Sequence, residues 1–107
     1  MNNKIIVKKI ITYATKVLAY CEGIKGKNAF VSNLIVVEAC VFNLSQIGEL
    51  TSRLDETFME KHPDIPWRAL YGLRNRIVHD YEGTNMNLIW DIIQEDLPDL
   101  IVRLNEI

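Results

Sequence analysis

Between residues 4 and 22 the apolar positions Ile6, Ile10, Tyr13, Val17 and Tyr20 recur at alternating intervals of four and three. That spacing keeps them on one stripe of a helix and predicts an amphipathic element whose stripe faces a bundle. Lys8, Lys9, Thr12, Thr15 and Lys16 fall mostly off the stripe and read as a solvated face rather than a phosphate-binding surface. Gly23 and Gly26 supply the stop and the turn. A longer helix is predicted over residues 28–54. Its middle, residues 34–44, is apolar on nearly every side, so one neighbour would not cover it. Such a helix is a central element or lies in a subunit interface. Glu38, Asn43, Gln46 and Glu49 interrupt it and read as solvated or internally satisfied groups. Glu49 is set apart, because a carboxylate near a later arginine-bearing segment could pair with it.

Residues 55–61 suit a short helix, followed by His62-Pro63-Asp64-Ile65-Pro66-Trp67. Two prolines so close prevent regular structure between them, while Pro66 fits the first turn of a new helix with Asp64 or Ile65 near its cap. His62 reads as an exposed loop residue. The new helix is predicted to run from residue 66 to 81 or 82 and to stop near Gly83. At about 100° per residue, Trp67, Leu70, Tyr71, Ile77, Val78 and Tyr81 share an apolar arc with Arg74 near its centre, pointed at the core. A last helix begins at Asn85, with Leu88, Ile89, Ile92, Ile93, Leu97, Leu100, Ile101 and Leu104 as its buried face and Trp90 at the edge. Asp91, Glu95, Asp96 and Asp99 mark its solvent side. Pro98 predicts a kink, or a break with a restart around Leu97. With no alternation long enough for a sheet, the expected fold is all-α: an up-and-down bundle of four main helices plus a short one.

Length and composition narrow this picture without changing it. The 107 residues suit a single domain, 1–107, and the content of five Gly and three Pro leans to helix. No apolar run approaches the roughly 18 residues that span a bilayer, and no signal-peptide core follows the first lysines, so a cytoplasmic protein without a membrane segment is expected. Cys21 and Cys40 lack CxxC spacing and a nearby histidine, which supports neither a zinc site nor a redox motif; Cys40 reads as a reduced core residue. The net charge of −2 argues against nucleic-acid binding through bulk charge. Its distribution is uneven: +5 over residues 1–28, −4 over 29–64, +3 over 65–79 and −6 over 80–107.

The acid-free window, residues 65–79, overlaps Leu73-Arg74-Asn75-Arg76-Ile77-Val78-His79-Asp80-Tyr81, which holds the candidate chemistry. Arg74 and Tyr81 nearly superpose on a helical wheel, Asn75 and His79 share a second stripe, and Arg74 and His79 stand about 140° apart. One straight helix does not easily aim both at one atom. Distortion near the helix end, or a second subunit bringing two copies together, would resolve this. A guanidinium can hold the non-bridging oxygens of a phosphodiester, and an imidazole can move a proton to or from a ribose hydroxyl or leaving oxygen. The window has no carboxylate cluster for magnesium, so metal-independent RNA cleavage through the 2′-hydroxyl is the natural enzyme reading, with no metal or cofactor. A purely structural reading stands beside it: Arg74 caps carbonyls or pairs with Glu38 or Glu49, and His79 complements a helix C-terminus.

Arg74-Asn75-Arg76-Ile77-Val78-His79-Asp80-Tyr81 resembles the Arg-x4-His-x-Tyr motif of the HepT-like branch of the HEPN superfamily. Ile65-Pro66-Trp67, Gly72-Leu73-Arg74-Asn75, Ile89-Trp90 and Leu97-Pro98 extend the resemblance over most of the chain. It implies a compact HEPN-like helical fold and a homodimer with a composite site. It also implies a metal-independent endoribonuclease serving as the toxin of a toxin–antitoxin pair, whose antitoxin is a minimal nucleotidyltransferase. By that resemblance Arg74 orients the scissile phosphate of the RNA, His79 is the general acid or base, and Asn75 is a polar helper. Tyr81 matches the tyrosine that receives AMP, a bulky negative group that would block the cleft. Asp80 departs from a cationic RNA site. The alternative is a non-catalytic module that binds nucleotide or the nucleotidyltransferase partner.

Overall fold

The computed structural model describes residues 2–82 and 85–107, and the side chains of all of these except 78–82. The first helix, α1, spans Asn3–Cys21, and the Asn2 side chain caps it by accepting from the Ile5 amide at 2.9 Å. Ile6, Ile10 and Val17 are buried as the stripe predicts. Tyr20 is not; Ala14 and Cys21 complete the buried face in its place. The lysines and threonines of the polar face are all exposed. Gly23 and Gly26 turn the chain with φ of 87° and 118°, values that a side chain would resist.

The single helix expected over residues 28–54 is two. Helix α2 spans Lys27–Ser32 and α3 spans Leu34–Thr51, with Asn33 between them at φ −97°, ψ 86°. Ser32 Oγ donates back to the carbonyls of Asn28 and Ala29, and Asn33 Oδ1 accepts from the Val36 amide at 3.2 Å. A short polar side chain thus caps the next helix, which competes successfully with continuing the first. The resulting turn carries Phe30 into the core, where its ring lies 5.2 Å from that of Trp90.

Helix α3 is the centre of the bundle and packs against α1 along its length. Its 18 residues reach the length and hydropathy of a membrane-crossing helix, against the expectation that no run would. Part of that apolarity is used inward, where Val37, Cys40, Leu44 and Ile47 are buried. Cys21 and Cys40 are free and buried as expected of a reduced core cysteine, and the α1–α3 contact brings their Sγ atoms within 3.6 Å. The polar Asn43 is satisfied within the helix, donating to the Ala39 carbonyl at 2.7 Å.

Helix α4, Glu56–Glu60, is the expected short one. A reciprocal pair ties its start to α1: Asn3 Nδ2 donates to Asp55 Oδ2, and the Asp55 amide donates to Asn3 Oδ1. The proline loop is fixed by Trp67 Nε1, which donates to the carbonyls of Met59 and His62 at 3.0 and 2.9 Å. His62 is half-buried, not exposed, because its ring packs 4.9 Å from that of Phe58.

The motif segment is also divided, into α5, Trp67–Tyr71, and α6, Leu73–Glu82. Gly72 separates them while its hydrogen bonds to Arg68 and from Arg76 keep the chain turning the same way. The buried face runs through Leu70, Leu73 and Ile77, three and four residues apart, in one helical phase across the interruption. Tyr71 is exposed. Both helices pack against α3.

The C-terminal segment comprises α7, Met86–Asp91, a π-helical turn at Ile92–Asp96, and α8, Leu97–Asn105. Pro98 sits in the first turn of α8, so the restart falls at Leu97 as predicted. The wider turn before it accommodates a residue that has no N–H and whose ring crowds the preceding carbonyls. Ile89, Ile92, Ile93, Leu97, Leu100 and Leu104 are buried, but Leu88 is exposed and Met86 replaces it in the core. Trp90 lies inside rather than at the edge. Among the described residues no strand occurs, and the fold is all-α.

Candidate functional site

Arg74 emerges at the start of α6, beside the C-terminal half of α3. The approach is set by Gly48: a Cβ at that position would stand 2.7 Å from the Arg74 backbone nitrogen and 3.3 Å from the Leu70 carbonyl. With no side chain there, the two helices touch backbone to backbone, and the next residue of α3, Glu49, lies beside the arginine. Arg74 Nη1 and Glu49 Oε2 are 2.7 Å apart. The other carboxylate oxygen, Oε1, lies 3.5 Å from Nη2 of Arg53, just past the C-terminus of α3.

The core-facing placement expected for Arg74 is not found. Its side chain is 63% exposed, because the buried stripe runs through Leu70, Leu73 and Ile77 and leaves Arg74 at the rim. Carbonyl capping by Arg74 is absent among the described residues. Pairing with Glu49 is present, and Glu38 stays exposed on α3. Ser45, Gln46, Glu49 and Arg74 line a hollow of about 190 Å³.

Asn75 is exposed next to Arg74. His79 and Tyr81 belong to α6, but their side chains lie outside the described residues, as does that of Asp80. The helix is continuous from Leu73 to Glu82, so positions 74 and 79 keep an angular separation of about 140°. The expected stop near Gly83 falls outside the described residues.

A second surface feature reaches the same place. Ile35, Phe42 and Glu49 recur at intervals of seven along α3, and Ile35 and Phe42 are 84% and 59% exposed. This apolar seam ends at the Glu49–Arg74 pair. Glu49 and the apolar excess of α3 are visible in the sequence and Gln46 reads there as a solvated or satisfied group, whereas Gly48, Arg53 and Ser45 do not stand out. The available signal was a lone glycine inside a strongly apolar helix, which marks close approach of another backbone. Among the described residues no cluster of three or more His, Cys, Asp or Glu is arranged to hold a metal ion.

Comparison with known proteins bears on what this surface serves. The family model described as "Ribonuclease HepT-like" matches residues 10–107. The chain is 34% identical over 101 residues to "Putative RNase TTE0752" of Caldanaerobacter subterraneus subsp. tengcongensis, covering 89% of this chain and 90% of that protein. It is 33% identical over 97 residues to "Putative RNase MJ1380" of Methanocaldococcus jannaschii, covering 91% and 88%. To "Probable ribonuclease HepT" of Thermococcus cleftensis it is 34% identical over 62 residues, 58% of this chain and 56% of that one. No solved structure matches the chain significantly. A match over nearly the whole chain, on a helical fold that presents the motif arginine at its surface, places this protein in the HepT-like ribonuclease family.

Proposed function

We propose that the protein is a metal-independent endoribonuclease toxin of a HEPN/nucleotidyltransferase toxin–antitoxin system, acting as a homodimer in the cytoplasm. The observation that carries this reading is the exposed Arg74 guanidinium beside a hollow, at the end of an uncovered apolar seam. Arg74 binds the scissile phosphate through its fork of donors. His79 takes the proton of the ribose 2′-hydroxyl, the resulting oxyanion attacks phosphorus, and the P–O5′ bond breaks to leave a cyclic phosphate. A proton delivered to the departing 5′-oxygen, by imidazole of the same or the partner copy, completes the step. Asn75 supplies an additional polar contact.

The wheel angle supports two chains, since one helix separates Arg74 from His79 widely, and an isologous pairing along the α3 seam would bring two copies of each residue to one cleft. Tyr81 is the proposed point of control: transfer of AMP from ATP by the cognate minimal nucleotidyltransferase adds bulk and negative charge to the helix that carries the phosphate-binding arginine.

Purified protein should cleave RNA in EDTA, and Arg74→Ala and His79→Ala should each abolish cleavage. Cleavage persisting unchanged in both variants would sink the proposal. With the nucleotidyltransferase and ATP, the mass of AMP should appear on the wild type and not on Tyr81→Phe. A second reading, a non-catalytic module binding nucleotide or the nucleotidyltransferase, is favoured by the net charge of −2 and by the carboxylate already engaging Arg74. Tight partner binding with neither RNA cleavage nor growth inhibition would select it.

A further inference from the structure

The Glu49–Arg74 pair needs a reason other than stability. Pairs exposed to this extent contribute little to folding, because water screens them and two long side chains must be ordered. Yet the contact is short, at 2.7 Å, and it engages Arg74 only at Nη1. A guanidinium carries five N–H donors in a planar fork. Among the described residues the guanidinium of Arg74 makes no other hydrogen bond or ion pair, so its remaining donors are available to a ligand. The other oxygen of Glu49 lies 3.5 Å from Arg53, and Glu49 projects from a helix locked against α6 at Gly48. An anchored carboxylate gripping one corner of a planar cation fixes the direction of the rest of it.

We propose that Glu49 is a positioning residue for the phosphate-binding arginine: it holds one end of the Arg74 guanidinium so that the free donors face the hollow beside Gln46. This rests on the ribonuclease reading and deepens it. The Arg53–Glu49–Arg74 trio keeps one net positive charge, so orientation is gained without cancelling attraction for an anion. A carboxylate that touches only the arginine acts through it and does not touch the reacting atoms. Its role is therefore in geometry, where small misplacements of a binding group lower turnover.

The test compares wild type, Glu49→Gln and Glu49→Ala in RNA cleavage, with melting temperature measured on each. Glutamine keeps an acceptor for Nη1, so Glu49→Gln should retain kcat within about threefold. Glu49→Ala should lose about tenfold or more in kcat, with KM unchanged or lower because a competing negative charge is gone. Equal kcat in all three, or equal loss in both variants, overturns the proposal, as does a loss in Glu49→Ala accompanied by unfolding at the assay temperature. A readout independent of cleavage is the heteronuclear NOE of the Arg74 Nε–H. That group should be ordered in wild type and Glu49→Gln, mobile in Glu49→Ala, and shifted by added inorganic phosphate in the ordered proteins. Should wild type cleave no RNA, the ribonuclease reading fails while the NMR comparison still decides the role of Glu49: an equally ordered Arg74 in Glu49→Ala overturns it.

Discussion

Gly48 and Arg74 meet backbone to backbone, closely enough that a single added methyl group would stand 2.7 Å from the Arg74 nitrogen. This contact fixes the register of α3 against α6 and sets Glu49 beside the guanidinium. It explains why glycine is tolerated in the interior of a helix, where it costs about 1 kcal/mol relative to alanine. The helix gives up some intrinsic stability and gains a close approach that no other residue permits.

Gly48→Ala should therefore destabilise the protein even though alanine is the better helix former. The obstructing atom is backbone and cannot rotate away, so α6 must shift. Overpacking of this kind costs typically about 1–3 kcal/mol, which outweighs the propensity gain, and Gly48→Val should be worse. Thermal or urea denaturation measures it. A melting temperature at or above that of wild type would show that α6 yields easily.

The helical stripe of α1, the restart at Leu97 and the pairing of Glu49 with Arg74 were legible in the sequence, because each follows from a local pattern or from a single charge with few possible partners. The two helix interruptions were not. At Asn33 a capping side chain competes with continuation inside a favourable run, and the outcome depends on Phe30 finding Trp90, a partner 60 residues away. At Gly72 the helix is interrupted, and the wheel that put Arg74 in the core left out Leu73, whose burial moves the inward face to Leu70, Leu73 and Ile77. The motif itself was recognisable from its spacing, whereas the hollow depends on α3 and had no local signature.

Asn33→Ala tests the first interruption. It removes the acceptor for the Val36 amide, and loss of such a cap costs about 1 kcal/mol. Fusing α2 and α3 into one straight helix is no remedy, since it would withdraw Phe30 from a fully buried site. Asn33→Asp and Asn33→Ser preserve an acceptor and should stay near wild type. For a chain of this size the alanine variant should melt roughly 4–8 °C lower. Equal melting of all three would show that the cap contributes nothing.

Phe42→Glu addresses the seam. With 59% of the residue exposed, the change should leave monomer stability within about 0.5 kcal/mol. If α3 pairs with a second α3, however, two carboxylates would be buried at the centre of the seam. Dimer dissociation should then become at least about tenfold easier, read by sedimentation equilibrium. RNA cleavage should fall in parallel, and mixing with the Arg74→Ala chain should not restore it. A wild-type dimer that survives Phe42→Glu unchanged would place its interface elsewhere.

The thiol pair provides a prediction in pH. Cys40 sits against Cys21 with Sγ atoms 3.6 Å apart. The hydrogen bond with Cys40 lowers the pKa of Cys21 even though burial opposes it. Cys40, which shares that hydrogen bond and is buried beside the Cys21 charge, is pushed far up and keeps its proton. The folded protein should therefore ionise one thiol below the ordinary value of 9.0 and retain the other proton well above it. The two shifts have opposite linkage. For Cys21, whose folded value is depressed, stability is present above the unfolded value and lost as pH falls through the folded one. For Cys40, whose folded value is raised, stability is present below the unfolded value and lost as pH rises towards the folded one. Their contribution should thus peak near the ordinary thiol pKa and decline on both sides. Thiolate ultraviolet absorbance should report one early ionisation in the native state and a second only on unfolding. Cys40→Ala removes the hydrogen bond and leaves the burial, so the Cys21 ionisation should move above its ordinary value. Two thiols titrating together at the ordinary value in the native protein would show that the sulfur contact carries no shared proton.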